Sequence, residues 1–178
     1  MTKAIFWDRD GILNYVVEKR EDGLENVSPQ KFEDFKLVPG ASEVLRQAKE
    51  HGYLNIVVTK QPDIARGKMA EEELNKMHEL LKSKMSIDAI YVCPHDRQDN
   101  CDCRKPKPGL ILRATKDYDI DLNKSFMVGD EQTDIDAAKN VGVGSILLET
   151  GYNKSVQNVS LKIKSLAKIL DHLGHSNP

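Results

Sequence analysis

Asp8-Arg9-Asp10-Gly11, Thr59-Lys60-Gln61, Arg104-Lys105-Pro106 and Gly129-Asp130-Glu131-Gln132-Thr133-Asp134 are four clusters of charged and hydroxyl residues. If Asp8, Asp10, Asp130 and Asp134 share one edge, their carboxylates repel and raise one another's pKa values. A hard divalent cation with oxygen ligands relieves that repulsion. Mg²⁺ is commonly held by one or two carboxylates together with water and a substrate phosphate. A carboxylate is also a feasible nucleophile toward phosphorus, forming an acyl phosphate that water then hydrolyses. Such a two-step displacement needs an acid for the leaving oxygen and a base for the water. An Asp two residues along an extended segment lies on the same side and could serve both turns. The charge of the transition state needs cations and donors, for which Lys105 and the Thr59 hydroxyl are candidates.

A fifth cluster has a different chemistry. All three cysteines, Cys93, Cys101 and Cys103, fall close together, with His95 among them. An odd count argues against a closed disulfide set. Three thiols and an imidazole fill a tetrahedral zinc site and leave no open position, which makes a zinc here structural rather than catalytic. The alternative is three reduced thiols in a loop. A zinc-pinned loop would present Arg104 and Lys105, because Cys103 adjoins Arg104.

Positioning these clusters requires strands that end where the clusters begin. Ala4–Trp7 is apolar throughout and reads as a strand buried on both faces. Residues 54–59, 87–92, 125–128 and 145–148 read as further strands, and 159–163 as a last one. Between them, 41–51, 69–85, a segment opened by Pro108, and 133–141 carry helical apolar stripes. The alternation predicts an α/β fold with a doubly wound, Rossmann-like parallel sheet. In such sheets ligands bind beyond the carboxyl ends of the strands, where the clusters fall. Residues 11–39 are a long polar excursion, and a structureless segment of that length is suspect unless it serves a site. Ser165 is a candidate cap for a final helix carrying Leu166, Ile169, Leu170 and Leu173. His51, His78, His172 and His175 read as surface residues.

The chain has 178 residues, 39% hydrophobic and 30% charged. That suits one domain over 1–178, with a motif-bearing core of about 3–150 and a C-terminal strand and helix at about 159–173. Lys and Arg number 26 against 28 Asp and Glu, a net charge of −2, without the basic excess expected of a duplex-binding protein. No apolar run approaches the ~18 residues that span a bilayer. The N-terminus meets charge too soon for a signal peptide, so a cytoplasmic chain is expected.

The four clusters, in this order, resemble the four motifs of the haloacid dehalogenase superfamily of phosphatases, over residues 4 to about 150. Cys93-Pro94-His95, Cys101-Asp102-Cys103-Arg104-Lys105-Pro106 and Ile64-Ala65-Arg66-Gly67 resemble its zinc-loop group, which includes heptose-bisphosphate and histidinol-phosphate phosphatases. The resemblance implies a single domain without a large cap. It implies Asp8 as nucleophile and Mg²⁺ ligand, Asp10 as acid/base with its carbonyl on the metal, and Asp130 as the other carboxylate ligand. Thr59 and Lys105 would hold the phosphoryl group, and Arg104, Lys60, Gln61 and Glu131 would lie on the substrate side. Asp134 would support Lys105, and Cys93, His95, Cys101 and Cys103 would bind structural zinc. The implied partner is a small phosphorylated metabolite, either a heptose bisphosphate or histidinol phosphate, with no nucleic acid, no membrane and a monomeric chain. Two positions depart from the group. Lys60 stands where Asn is common, and Glu131 where Lys or Arg is common.

Rival classes fit less well. A phosphoacceptor receiver places its acid pair, not its phosphoacceptor, after the first strand. A zinc knuckle for nucleic acid lacks the charge, and an inactive scaffold would not need an intact motif set.

Overall fold

The apolar runs fold into strands because their residues are buried on both faces. In β1 (Lys3–Trp7), Ala4 and Phe6 face one side of the sheet and Ile5 and Trp7 the other, and all four are fully buried. The computed structural model describes residues 1–173. After β1 come a short hairpin of β2 (Val17–Lys19) and β3 (Glu25–Val27), then α1 (Ala41–Glu50), β4 (Tyr53–Lys60), α2 (Glu71–Lys84) and β5 (Ala89–Cys93). Then follow α3 (Gly109–Tyr118), β6 (Phe126–Gly129), α4 (Gln132–Val141), β7 (Gly144–Leu148) and β8 (Leu161–Ile163).

Six strands form one parallel sheet in the order β5-β4-β1-β6-β7-β8. Counted among themselves they run 3-2-1-4-5-6, the doubly wound order expected, with the topological switch between β1 and β6. On one side, Ile5, Trp7, Val57 and Val128 pack against Leu45 of α1 and Met77 and Leu81 of α2. On the other, Phe6, Val58 and Met127 pack against Ile111 of α3 and Ala137 and Ala138 of α4. Each fully buried aliphatic side chain contributes about 1.5–3 kcal/mol. The polar Asn55 sits within this core fully bonded. Its Oδ1 accepts from Trp7 Nε1 at 3.0 Å, and its Nδ2 donates to the Leu45 and Ser86 carbonyls at 2.8 Å each.

The 11–39 excursion is ordered and lines the site, while two expectations about helices are corrected. Val17 pairs with Val27 and Lys19 with Glu25, and Arg20 and Gln30 both bond Asp63 in the loop after β4. The last segment, 166–172, is a 3-10 rather than an α-helix, and Ser165 gives it no side-chain cap. Leu166 and Ile169 are three residues apart, which a three-residue turn aligns in one row. Helix α2 starts at Glu71, not Met69, because Glu71, Glu72 and Glu73 complement its N-terminal dipole while Met69 is buried ahead of it. His175 lies outside the described residues. Among those described, no helix is long and apolar enough to cross a membrane.

Candidate active site

The strand ends deliver the polar clusters to the switch point. Asp8 follows β1 directly and its backbone N–H donates to the Val128 carbonyl at 2.9 Å, so β6 holds it in register. Asp130 follows β6, and Thr59 and Lys60 end β4. Lys105 enters from the loop after β5 and is almost completely buried. Its Nζ lies 2.6 Å from Asp8 Oδ1 and 2.6 Å from Asp134 Oδ1, and donates to the Val58 carbonyl at 3.0 Å. All three ammonium donors are therefore used.

Asp8, Asp130 and Asp134 place carboxylate oxygens within 4.8 Å of one another. One ammonium does not offset three buried carboxylates. Burial first, then Asp134, pushes the Asp8 carboxyl up to about 7 against the opposing pull of Lys105. Burial first, then Asp8 and Asp134, pushes Asp130 up to about 8. Asp134 is occupied elsewhere. Its Oδ2 accepts the N–H groups of Asp130 and Glu131 at 3.2 and 3.0 Å, and its Oδ1 faces Lys105. Asp130 Oδ1, by contrast, is buried with no partner. An orphaned carboxylate oxygen beside a repelling carboxylate fits a hard divalent cation shared by Asp8 and Asp130.

The other oxygen of Asp130 accepts from the Tyr152 hydroxyl at 2.6 Å, and Asn153 Nδ2 donates to its carbonyl at 2.9 Å. Gly11 makes this approach possible. Its φ is +86°, and a Cβ there would lie 2.2 Å from Asp130 Oδ2. Ligand-orienting contacts of this kind typically govern metal affinity by 10–100-fold. Tyr152→Phe is expected to weaken Mg²⁺ binding about tenfold, measured by calorimetry without substrate. Unaltered affinity would mean that the Asn153 contact and the close packing at Gly11 suffice to hold Asp130.

Asp10 sits in a socket of donors. Oδ1 accepts from Arg9 Nη2 and Asn14 Nδ2, each at 2.9 Å, and Oδ2 from Ser28 Oγ at 2.9 Å and Gln61 Nε2 at 2.8 Å. Burial raises its pKa, but the Arg9 charge and these bonds outweigh that and hold the carboxyl below its usual range. Arg9 is fully buried, lies over the Phe35 ring and reaches His78 Nε2 at 3.2 Å. His78 is thus no surface residue. Burial, then Arg9, lowers its pKa to about 4, so it is neutral and accepts from the guanidinium. It sits on α2 one residue after buried Met77, at the margin of the apolar stripe.

Gln61 also donates to Thr59 Oγ1 at 2.8 Å, and both residues are fully buried. Lys60 turns to the other side and meets Glu131 and, at 2.8 Å, Thr133 Oγ1. Arg104 is half-buried and donates to the His95 carbonyl at 3.1 Å. A cavity of about 180 Å³ opens over Asp8, Asp10 and Asp130, lined also by Arg20, Leu24 and Val27 of the hairpin segment.

The cysteine cluster closes on itself. Cys93 Sγ lies 3.6 Å from Cys101 Sγ, which lies 3.4 Å from Cys103 Sγ, while His95 Nδ1 lies 3.3 and 3.8 Å from Cys103 and Cys93. Ordinary zinc bond lengths give tetrahedral edges of about 3.5–3.8 Å, so the donor set fits zinc. Burial pushes the Cys93 thiol up to about 12. At Cys101, hydrogen bonds from Cys103, Cys93 and the backbone outweigh burial and bring the thiol to about 7.

Ser28, Asn14, Arg9 and Tyr152 escape the sequence reading. Asn14 and Ser28 lie inside the excursion, where no periodicity marks them. Tyr152 follows the end of β7, and that position at a carboxyl edge was the available signal.

A family model described as HAD-hydrolase-like matches residues 102–175. The D-glycero-beta-D-manno-heptose-1,7-bisphosphate 7-phosphatase of Pasteurella multocida is 39% identical over 163 residues, covering 85% of this chain and 84% of that protein. The D-glycero-alpha-D-manno-heptose-1,7-bisphosphate 7-phosphatase of Campylobacter jejuni is 34% identical over 175 residues, covering 96% and 95%. The chain belongs to the heptose-bisphosphate 7-phosphatase family of HAD-like hydrolases. Its fold matches the crystal structure of D,D-heptose 1,7-bisphosphate phosphatase from B. bronchiseptica complexed with magnesium and phosphate. That match has a TM-score of 0.81 at 27% identity and covers 96% and 97% of the two chains. As a member of this family the chain is a phosphoric monoester hydrolase.

Proposed function

We propose that this chain is a Mg²⁺-dependent phosphatase that removes the C7 phosphate of D-glycero-D-manno-heptose 1,7-bisphosphate through an aspartyl-phosphate. One observation carries the chemistry. Asp8 lies 2.6 Å from buried Lys105, beside an Asp130 carboxylate whose Oδ1 has no partner. Relatives named for either anomer match at similar identity, so the proposal concerns the C7 ester and not the anomer.

Mg²⁺, held by Asp8 and Asp130 and by the Asp10 carbonyl that the family resemblance implies, would neutralise the phosphate charge that otherwise repels the nucleophile. Lys105 opposes the rise in the Asp8 pKa and aims the carboxyl by gripping Oδ1, leaving the other oxygen to attack phosphorus. Thr59, whose Oγ1 accepts from Gln61 and keeps its own proton to donate, and Lys105, once it exchanges one of its present acceptors, receive the transferring phosphoryl oxygens. Asp10, ionised in the free protein, would take up a proton as the substrate binds, give it to the departing C7 oxygen and then take one from the water that hydrolyses the acyl phosphate. Oδ2 is the atom suited to this, because its partners Ser28 and Gln61 are neutral and can yield. Arg9 and Asn14 meanwhile hold Oδ1 and fix the carboxyl plane. The hairpin segment, tied down by Arg20 and Gln30 on Asp63, walls one side of the cavity over Asp8 and Asp10.

Phosphate release with Mg²⁺, compared by kcat/KM on the heptose bisphosphate and on histidinol phosphate, tests the reading. Preference for histidinol phosphate would overturn the substrate and keep the mechanism, and no release from either would overturn both. The relatives described above favour the heptose ester. A cytoplasmic monomer is part of the same proposal, and a sedimentation profile of the purified chain checks the monomer.

The proposal includes structural zinc at Cys93, His95, Cys101 and Cys103. The zinc loop fixes the His95 carbonyl, which in turn holds Arg104. Cys101→Ser is expected to lose about one bound zinc per chain by elemental analysis and to raise the substrate KM about tenfold. Equal zinc content and unchanged kinetics would sink the zinc assignment.

A further inference from the structure

The cations around the cavity differ in how fully their charge is spent. Arg20 is committed to Asp22 and Asp63. Arg66 grips Asp96 through two bonds of 2.7 Å and also faces Asp63. Lys105 is saturated by Asp8, Asp134 and the Val58 carbonyl. Arg104 differs, since its one hydrogen bond goes to a neutral carbonyl and it has no carboxylate partner among the described residues. Lys60 differs in another way. Its side chain is 15% exposed, but its partner Glu131 is 50% exposed, on the solvent side of the pair.

Lys60, Arg104 and Glu131 line both the cavity over Asp8 and an adjoining groove of about 560 Å³ beside the zinc loop. Lys107 also lines that groove, and its ammonium bonds Asn100. Of the residues of the proposed chemistry only Lys105 also lines the groove, because the reacting phosphate lies over Asp8. A bisphosphate brings a second dianion, which needs cations of its own. Arg97 and Lys107 line the groove alone, whereas Arg104 and Lys60 line both the cavity and the groove and so face a molecule that occupies the two together.

We propose that Lys60 recognises the second, non-reacting phosphate of the substrate, and that Glu131 holds Lys60 in the free protein and competes with that phosphate for it. This rests on the bisphosphate reading above. The pair is tethered at both ends. Lys60 is the last residue of β4, and Glu131 caps α4, with its N–H bound to Asp134. Thr133 Oγ1 accepts from Lys60 and donates to Glu131. Because the two charges sit on different elements, either can be removed without deleting the other. The geometry thus predicts opposite effects from neutralising the two partners. A purely structural tie between β4 and α4 predicts the same effect from both.

The test compares KM and kcat of the full chain with Mg²⁺ on the heptose 1,7-bisphosphate and on the 7-monophosphate of the same heptose. Lys60→Gln is expected to raise KM for the bisphosphate about tenfold more than for the monophosphate. Glu131→Gln is expected to lower KM for the bisphosphate about threefold relative to the monophosphate. Melting temperatures confirm that both variants are folded. If both variants weaken the bisphosphate, or if Lys60→Gln shifts the two substrates equally while wild type prefers the bisphosphate, the Lys60 assignment is overturned and the substrate reading stands. If wild type shows no preference for the bisphosphate, both are overturned.

Discussion

Asp8→Asn will abolish phosphate release, by at least about 10⁴-fold in kcat, and will raise the melting temperature of the metal-free protein at pH 8. The first effect follows from replacing the proposed nucleophile, which bonds Lys105 and lies within 4.8 Å of Asp130, with an amide. The second follows from electrostatics. Asp8, Asp130 and Asp134 crowd one ammonium, and burial together with their mutual repulsion lifts Asp8 to about 7 and Asp130 to about 8. A carboxyl whose folded pKa exceeds its unfolded value binds more protons folded than unfolded. Its stabilising contribution is present below the unfolded value near 4 and is lost as pH rises through the folded one. Metal-free wild type should therefore fall behind Asp8→Asn in melting temperature between pH 5 and pH 8. Added Mg²⁺ should close the gap by stabilising wild type, since the cation competes with protons for the same oxygens. Melting curves at the two pH values, with chelator and with Mg²⁺, check all of this. Equal curves at pH 8 without metal would mean that the three carboxylates are not a strained set. The expected result is a trade of stability for function at one residue.

The strands and their order are legible because burial on both faces leaves uninterrupted apolar runs, as at Ala4–Trp7. The polar clusters at their ends follow from the same rule about carboxyl edges. Legibility ends where a residue's role depends on long-range geometry. Ser28 and Gln61 meet on one oxygen of Asp10 although 33 positions separate them, and nothing periodic links the two. Arg9 reads locally as part of a charged turn, yet it is fully buried against Asp10, Phe35 and His78. His78 follows Leu74 by four residues and precedes Leu81 by three, so its spacing puts it at the α2 stripe, but nothing local names Arg9 as its partner. The hairpin is unreadable for another reason. Its strands are three residues each, too short for alternation to register, and its anchor is the Arg20–Asp63 ion pair rather than an apolar face. Lys60 and Glu131 appear in the sequence as two separate departures from a pattern. In the fold they are one exchanged pair.

Lys105→Met carries the second large effect, and it acts on stability and catalysis together. Among the described residues the ammonium is the sole cation bonded to Asp8 and to Asp134, and all three groups are nearly inaccessible to water. Removing one partner of a buried ion pair leaves uncompensated charge and typically costs about 3–5 kcal/mol. For a chain of this size that corresponds to roughly 10 °C in melting temperature. Activity should fall at least about 10²–10³-fold, because on the proposed mechanism the cation beside the phosphoryl group is gone and Asp8 loses the contact that orients it. The two losses are separable. Asp134 makes no contact that the chemistry requires beyond Lys105 and the backbone of Asp130 and Glu131. In Lys105→Met/Asp134→Asn the unpaired charge beside the methionine is reduced, while the Asn side-chain carbonyl can still accept those backbone N–H groups. The double variant should recover most of the lost melting temperature and none of the lost kcat. If it recovers activity as well, Lys105 acts only by offsetting Asp134. If it recovers neither, the methionine disturbs packing beneath Val58, and the charge argument for the single variant fails.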